Sequence, residues 1–156
     1  MTKKTLRIYV DTSVFYAALT QKFMQETKPF WEAVFNGTVK IILSDVLVGE
    51  IERASQNVRD FYESLPQFSI ERIVSTDESN AIAERYIDEK IVGKASFDDC
   101  KHVALATIAS ADVLVSWNMK HLANLDRKRG YNSVNMKLGY PQIEILTPNM
   151  VIYDEN

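Results

Sequence analysis

Cysteine is nearly absent from this chain: Cys100 stands alone among 156 residues, so no internal disulfide can form. Set in an apolar, helix-like run, Cys100 reads as a small buried hydrophobe rather than a nucleophile, and the chain suits a reducing cytoplasm. Histidine is scarce too. His102 and His121, with one cysteine, fall short of a four-ligand Cys/His zinc site. There is no Gly-Lys-Ser/Thr phosphate loop and no GxGxxG after a strand, which leaves nucleotide-cofactor chemistry without a motif. No Ser-His-Asp set lies in a hydrolase context. No stretch reaches the ~18 apolar residues of a membrane span. Lys3 and Lys4 precede the apolar Leu6 to Val10, but Arg7 and Asp11 interrupt that run before it reaches the length of a signal peptide. The expectation is a soluble, cytoplasmic protein with no membrane partner.

Excess positive charge is also missing. The net charge of −3 excludes a uniformly basic nucleic-acid coat, so a polyanion must be held by a local patch or by metal ions. Such a patch lies between Asn118 and Lys137, where Lys120, Arg127, Lys128, Arg129 and Lys137 face only Asp126, a local +4 that leaves −7 on the rest of the chain. A charge run is commonly a solvated loop, and that reading stands beside a nucleic-acid-binding one. What is present otherwise, 46% hydrophobic and 25% charged residues, is ordinary for one compact domain spanning 1–156.

Leu6, Ile8 and Val10 alternate with Arg7 and Tyr9, the period-2 signature of a strand that stops at Asp11. A short helix from Ser13 to about Gln21 follows, then one from Glu26 to Phe35 ended by Asn36-Gly37. Val39 to Leu43 is a second strand, with Ser44 or Asp45 capping the helix that carries Glu50. Asn57 to Leu65 is helical and stopped by Pro66, Phe68 to Val74 is a strand, and Thr76 opens a helix to about Glu89. Gly93 breaks the chain before a long helix from Ser96 to Ser110. Val113 to Val115 is a short buried strand, and Ile143 to Leu146 an edge strand ahead of Pro148. Strands alternating with helices predict a three-layer α/β/α domain around a mostly parallel sheet. Ligands of such sheets bind beyond the carboxyl ends of the strands, where Asp11 and Asn118 fall.

Asp11, in Tyr-Val-Asp-Thr-Ser, is equally suited to cap a helix. Glu50 lies about 60° from Leu47 on a helical wheel, beside the apolar stripe of Leu47, Ile51 and Ala54, so its carboxylate needs a metal or an arginine partner. Asp99 shares a face with His102, Val103 and Ala106, yet Ser96-Phe97-Asp98-Asp99 also matches a capping box. Asp98 points about 100° away and reads as a first-turn surface residue or one that supports the site from behind its ligands. His102 reads as a hydrogen-bonded core histidine, and His121 as exposed in the basic loop. Three carboxylates form an oxygen cluster suited to Mg²⁺ or Mn²⁺, which can activate water and neutralise phosphate in phosphodiester hydrolysis. An aspartyl-nucleophile phosphohydrolase would want a second aspartate two residues after Asp11, where this chain has Ser13.

The ordered set Val10-Asp11-Thr12-Ser13, Val48-Gly49-Glu50-Ile51, Asp99 to Ala106 and Leu114 to Leu122 resembles the PIN-domain family, and within it the bacterial VapC-like toxins of toxin–antitoxin pairs. The resemblance runs from about Arg7 to Ile145. It implies a Mg²⁺- or Mn²⁺-dependent endoribonuclease with Asp11, Glu50 and Asp99 as catalytic acids and metal ligands. It also implies a supporting hydroxyl at Ser13, a small antitoxin partner and a homodimer. Asn118 and His121 stand where the family carries a further acid. Asn118 offers a neutral oxygen but no charge, so the second reading is a degenerate PIN domain that binds RNA or a protein without cutting. On the ribonuclease reading, Lys120, Arg127, Lys128 and Arg129 guide the RNA backbone.

Overall fold

The structure, a computed structural model, describes residues 5–91 and 97–153. Along them run β1 (Arg7–Val10), α1 (Thr12–Ala17), α2 (Gln21–Phe35), β2 (Lys40–Ser44), α3 (Asp45–Glu52) and α4 (Gln56–Glu63). Then come β3 (Ile70–Ile73), α5 (Asp77–Asp88), α6 (Phe97–Ile108), β4 (Val113–Val115), α7 (Leu125–Leu138) and β5 (Ile145–Leu146). The strands form one sheet in the order β3-β2-β1-β4-β5, and every pairing is parallel.

Alternation along the strands sorts the core into two halves. Ile8 and Val10 of β1, with Ile41, Leu43, Val113 and Val115, face the layer of α1 to α4, where Val14, Phe15, Phe30, Trp31 and Leu47 are buried. Tyr9, Ile42 and Leu114 face the opposite way, onto Ile82, Tyr86, Cys100, Val103, Tyr131 and Val134 of α5, α6 and α7. Fully burying each such aliphatic side chain contributes ~2 kcal/mol. A slip of β1 by one residue would exchange its two faces, so packing fixes the register that sets Ile8 opposite Ile41 and Val113. The result is the α/β/α sandwich expected from the alternation of elements.

The chain leaves β1 for β2 and β3 on one side and later returns to β4 on the other, which makes the β1–β4 junction the switch point of the sheet. Asp11 follows β1 directly, Ser116 to Asn118 follow β4, and Ser44 at the end of β2 leads into α3. The Ser44 side chain accepts from the Leu47 N–H at 3.2 Å, the cap expected there. Thr76 opens α5, as expected, through a capping box with Ser79.

Other boundaries differ from the sequence reading. The first helix ends at Ala17, and the second begins at Gln21 and carries Pro29 inside it. Its early residues are mostly exposed, so no apolar stripe announced them. The segment read as a basic loop is largely a helix, α7, capped by Asn124 accepting from the Arg127 N–H at 2.9 Å and ended by Gly139 at φ 82°. Only Tyr131, Val134 and Asn135 of α7 are buried, too narrow a stripe for periodicity to reveal. Gly130, which weakens the helical pattern further, is required where α7 passes Ile91: a Cβ there would come within 2.8 Å of that side chain. The break at Gly93 and the helix start at Ser96 lie outside the described residues.

Candidate active site

Asp11 occupies the N-cap position of α1, but its carboxylate makes no capping bond. Instead Oδ2 accepts from the Ser13 hydroxyl at 2.7 Å and the Ser116 hydroxyl at 2.8 Å, while Oδ1 lies 3.7 Å from His102 Nε2. Ser13 in turn accepts from the Trp117 N–H at 2.9 Å, and Ser116 from the Asn118 N–H at 2.9 Å. Two hydroxyls thus tie the end of β1 to the end of β4 through one carboxylate. At 5% exposure, the Asp11 carboxylate is held in place chiefly by neutral donors.

Glu50 reaches the same place from α3. Its Oε1 accepts from the Thr12 hydroxyl at 2.8 Å and from His102 Nε2 at 2.7 Å, leaving Oε2 without a hydrogen bond among the described residues. The partner is therefore a histidine, not the arginine that sequence alone allowed. His102 is 1% exposed, and its Nδ1 meets the Tyr9 hydroxyl at 2.6 Å, which meets Ser44 Oγ at 2.7 Å. Burial pulls the imidazole pKa down, but the bond to Glu50 and the fields of Asp11, Glu50 and Asp99 outweigh it, and the net shift is upward. For Glu50, burial pushes up while His102 and Thr12 pull down, and the net shift is downward. Both shifts favour an imidazolium–carboxylate pair. His102 is the hydrogen-bonded core histidine expected, and the group it holds is Glu50, one of the three candidate acids.

Asp99 lies in the first turn of α6, half-buried, facing Asn118, whose Nδ2 stands 3.4 Å from each carboxylate oxygen. Asn118 Oδ1 accepts from the His121 N–H at 3.1 Å, which turns the amide nitrogen toward the acid. Burial, followed by repulsion from Asp11, pushes the Asp99 carboxyl up to about 6, with His102 opposing and Glu50 and Asp98 adding. The Ser96 side of the capping box lies outside the described residues. Asp98 is exposed and lies 3.6 Å from Lys101 Nζ, as its surface reading required.

The structure therefore brings Asp11, Glu50, Asp99, Ser13 and Asn118 to one edge of the sheet. Thr12, Ser116, Tyr9 and His102 complete the site. Ser116 could have been found by the strand-end rule that found Asp11, since it follows β4 directly. Among the described residues no three acidic, histidine or cysteine side chains are drawn together as a ready-made cation cage. The donor chemistry nonetheless fits a hard divalent ion: Asp11, Glu50 and Asp99 offer only carboxylate oxygens. The repulsion that raises Asp99 is of the kind a cation relieves.

The basic residues are less unified. On a helix, Arg127, Lys128 and Arg129 splay by about 100° each. Lys128 Nζ turns toward Glu144, at 3.9 Å, whereas Arg127 exerts its field on Cys100, His121 and Tyr131, toward the acidic edge. Lys120 is exposed next to His121. His121, read as exposed, is half-buried, its Nδ1 has no hydrogen-bond partner among the described residues, and burial followed by the Lys120 and Arg127 charges lowers its pKa.

An all-parallel α/β/α sheet with three carboxylates feeling one another's charge at its switch point defines a class of candidate metal-site domains. The family model for the PIN domain matches residues 7–120, a span that includes Asp11, Glu50, Asp99 and Asn118 and ends before α7. The chain belongs to the PIN-domain family. Its fold is similar to that of VapBC2 from Rickettsia felis bound to a promoter DNA fragment, with 14% identity, coverage of 91% of this chain and 98% of that one, and a TM-score of 0.57. It is also similar to VapC20 of Mycobacterium tuberculosis, described as a Sarcin-Ricin loop cleaving toxin, with 15% identity, coverage of 72% and 91%, and a TM-score of 0.56. FitAcB from Neisseria gonorrhoeae shares 11% identity over 92% of this chain and 99% of its own, with a TM-score of 0.57. A comparison with curated protein sequences returns no significant match. Among the described residues no helix is long and apolar enough to cross a membrane.

Proposed function

We propose that this chain is a single-domain, cytoplasmic endoribonuclease that hydrolyses RNA phosphodiester bonds with Mg²⁺ or Mn²⁺ held by Asp11, Glu50 and Asp99. The observation that carries the reading is the convergence of these three acids at the switch point, with the Asp99 carboxyl pushed up to about 6. A bound divalent ion would supply charge neutralisation and water activation. Ser13 and Ser116 hold the Asp11 carboxylate in one orientation, and His102 does the same for Glu50, so these ligands need little rearrangement on binding. Asn118 sets its amide against Asp99 and adds no charge. The toxin and complex neighbours support the further reading that the chain is the toxin of a toxin–antitoxin pair, silenced by a small antitoxin; the homodimer remains what the family resemblance implies.

Asn118 favours one second reading, a PIN domain that binds RNA or protein without cutting, because the fourth acid of the family is replaced by an amide. Calorimetric titration with Mn²⁺ bears on both. The wild type should bind the ion, and Asn118→Asp should bind it about tenfold more tightly, since a fourth carboxylate adds charge and a hard ligand. No heat of binding in either protein would remove the metal-site reading. Unchanged affinity in the variant would place residue 118 outside the ligand set.

Of the basic residues, Arg127 with Lys120 carries the RNA-guiding proposal toward the acids, and Lys128 and Arg129 are assigned to the outer part of the RNA path. Removing one phosphate-binding side chain lowers the log–log salt slope of single-strand binding by ~0.7. Arg127→Gln should therefore weaken RNA binding and flatten its salt dependence without altering Mn²⁺ affinity. A salt slope equal to the wild type would route the RNA away from the N-terminal turn of α7.

A further inference from the structure

Beside the acids lies an aromatic pair that the metal chemistry does not use. Trp117 sits between Ser116, which holds Asp11, and Asn118, which faces Asp99. Its ring lies against Phe23 of α2, with centroids 4.7 Å apart and planes 32° from parallel. Lys22 Nζ stands 5.2 Å from the Phe23 centroid. The indole cannot swing freely: Nε1 donates to Thr27 Oγ1 at 2.9 Å, and Thr27 donates to the Phe23 carbonyl at 2.7 Å. The Trp117 backbone N–H is fixed by Ser13. One buried hydroxyl therefore holds the Trp117 edge and the Phe23 backbone together, while Phe23 and Trp117 are each only partly buried.

We propose that Phe23 and Trp117, with Lys22 beside them, form a stacking platform for one unpaired nucleobase of the RNA, adjoining the phosphate that Asp11, Glu50 and Asp99 face. The inference rests on the ribonuclease reading and adds to it how the strand is positioned. Every nucleobase has a π-face, so an aromatic ring with a nearby cation binds single strands with little dependence on base identity. A platform locked by Thr27 and Ser13 loses little entropy on binding. Because Trp117 is bonded through Ser13 to Asp11, a base seated there sets the register of the backbone over the acids.

The test measures binding of a short single-stranded oligoribonucleotide to the Asp99→Asn chain, which should not cut it. The probes are the intact strand and versions carrying one abasic sugar at each position in turn. One abasic position should weaken binding about tenfold, and Phe23→Ala should erase that difference. Phe23→Tyr, which keeps a ring, should preserve it, while Phe23→Leu, which keeps apolar volume against Trp117, should lose it with its melting temperature unchanged. If every abasic strand binds as tightly as the intact one, or if Phe23→Ala weakens all of them equally, the pair only packs α2 against the sheet end and the inference fails while the ribonuclease reading stands. If the chain binds neither intact nor abasic RNA, that reading falls and the inference with it.

Discussion

Asp99→Asn should raise the melting temperature of the metal-free protein above pH 6, remove its further stabilisation by Mn²⁺, and abolish RNA cleavage. The sign follows from the carboxyl: its folded pKa stands at about 6 against an ordinary 3.8, so the folded state holds the proton more tightly than the unfolded state. Stability then falls as the pH rises from about 4 through about 6, and the whole penalty is present at neutral pH. Asparagine removes the charge and keeps the shape. With allowance for partial exposure the gain is on the order of 1–2 kcal/mol, or roughly 3–6 °C for a chain of this size. At pH 4 most of the advantage should be gone, and below about pH 3, where Asp99 is protonated in both states, it should vanish. Thermal melts of both proteins across pH 4 to 8, each with and without Mn²⁺, check this. A wild-type melting point independent of pH in that window, or an asparagine variant no more stable at pH 7.5, would show that burial and the neighbouring acids do not raise the Asp99 carboxyl.

Removing the imidazole beneath the acids should have an opposite effect on the fold. His102→Ala leaves a cavity and takes away the charge partner of Glu50, together with one bond of the Tyr9 hydroxyl. A loss of about 2–4 kcal/mol is expected, because both ring nitrogens are engaged at full burial. His102→Gln, which can still reach one of the two partners, should recover part of it. Glu50 would then be held by Thr12 alone, so Mn²⁺ affinity should fall about 10- to 100-fold in the alanine variant, the usual cost of losing the group that orients a ligand. Denaturant unfolding and calorimetry on the two variants separate the effects. If stability drops and Mn²⁺ affinity does not, His102 supports the core and leaves Glu50 uninfluenced.

The parts of this architecture that could be read from sequence are those whose side chains repeat with the period of their backbone. Alternation from Leu6 to Val10 gave β1, a β-branched run gave β2, and Val113 to Val115 is apolar throughout because both its faces are covered. Once those strands are parallel, Asp11 and Asn118 must emerge on the same edge. Asp99 and Glu50 could be nominated from helix faces, but their partners could not, since the meeting of His102 with Glu50 depends on how α6 lies across α3. The same holds for Asn118, whose amide nitrogen turns toward Asp99 only because the His121 N–H takes its oxygen. α7 escaped notice because Gly130 and a run of charged residues hide a helix whose buried stripe is only Tyr131, Val134 and Asn135. Recognising it matters for function, because a helix divides Arg127, Lys128 and Arg129 among different directions where a loop could have gathered them.

The most direct measurement is cleavage of a long single-stranded RNA by wild-type and Asp11→Asn proteins purified side by side, each assayed in Mn²⁺ and in excess chelator. Asp11 joins the two strand ends through Ser13 and Ser116, and its replacement by asparagine keeps shape and hydrogen-bonding capacity while removing one anionic ligand. Cleavage is expected only from the wild type and only with the ion, with circular dichroism identical for the two proteins. Equal cleavage by both proteins, or by the wild type in chelator, would assign the activity to something other than these carboxylates. A well-folded wild type that binds Mn²⁺ and RNA but cuts nothing would contradict the nuclease account.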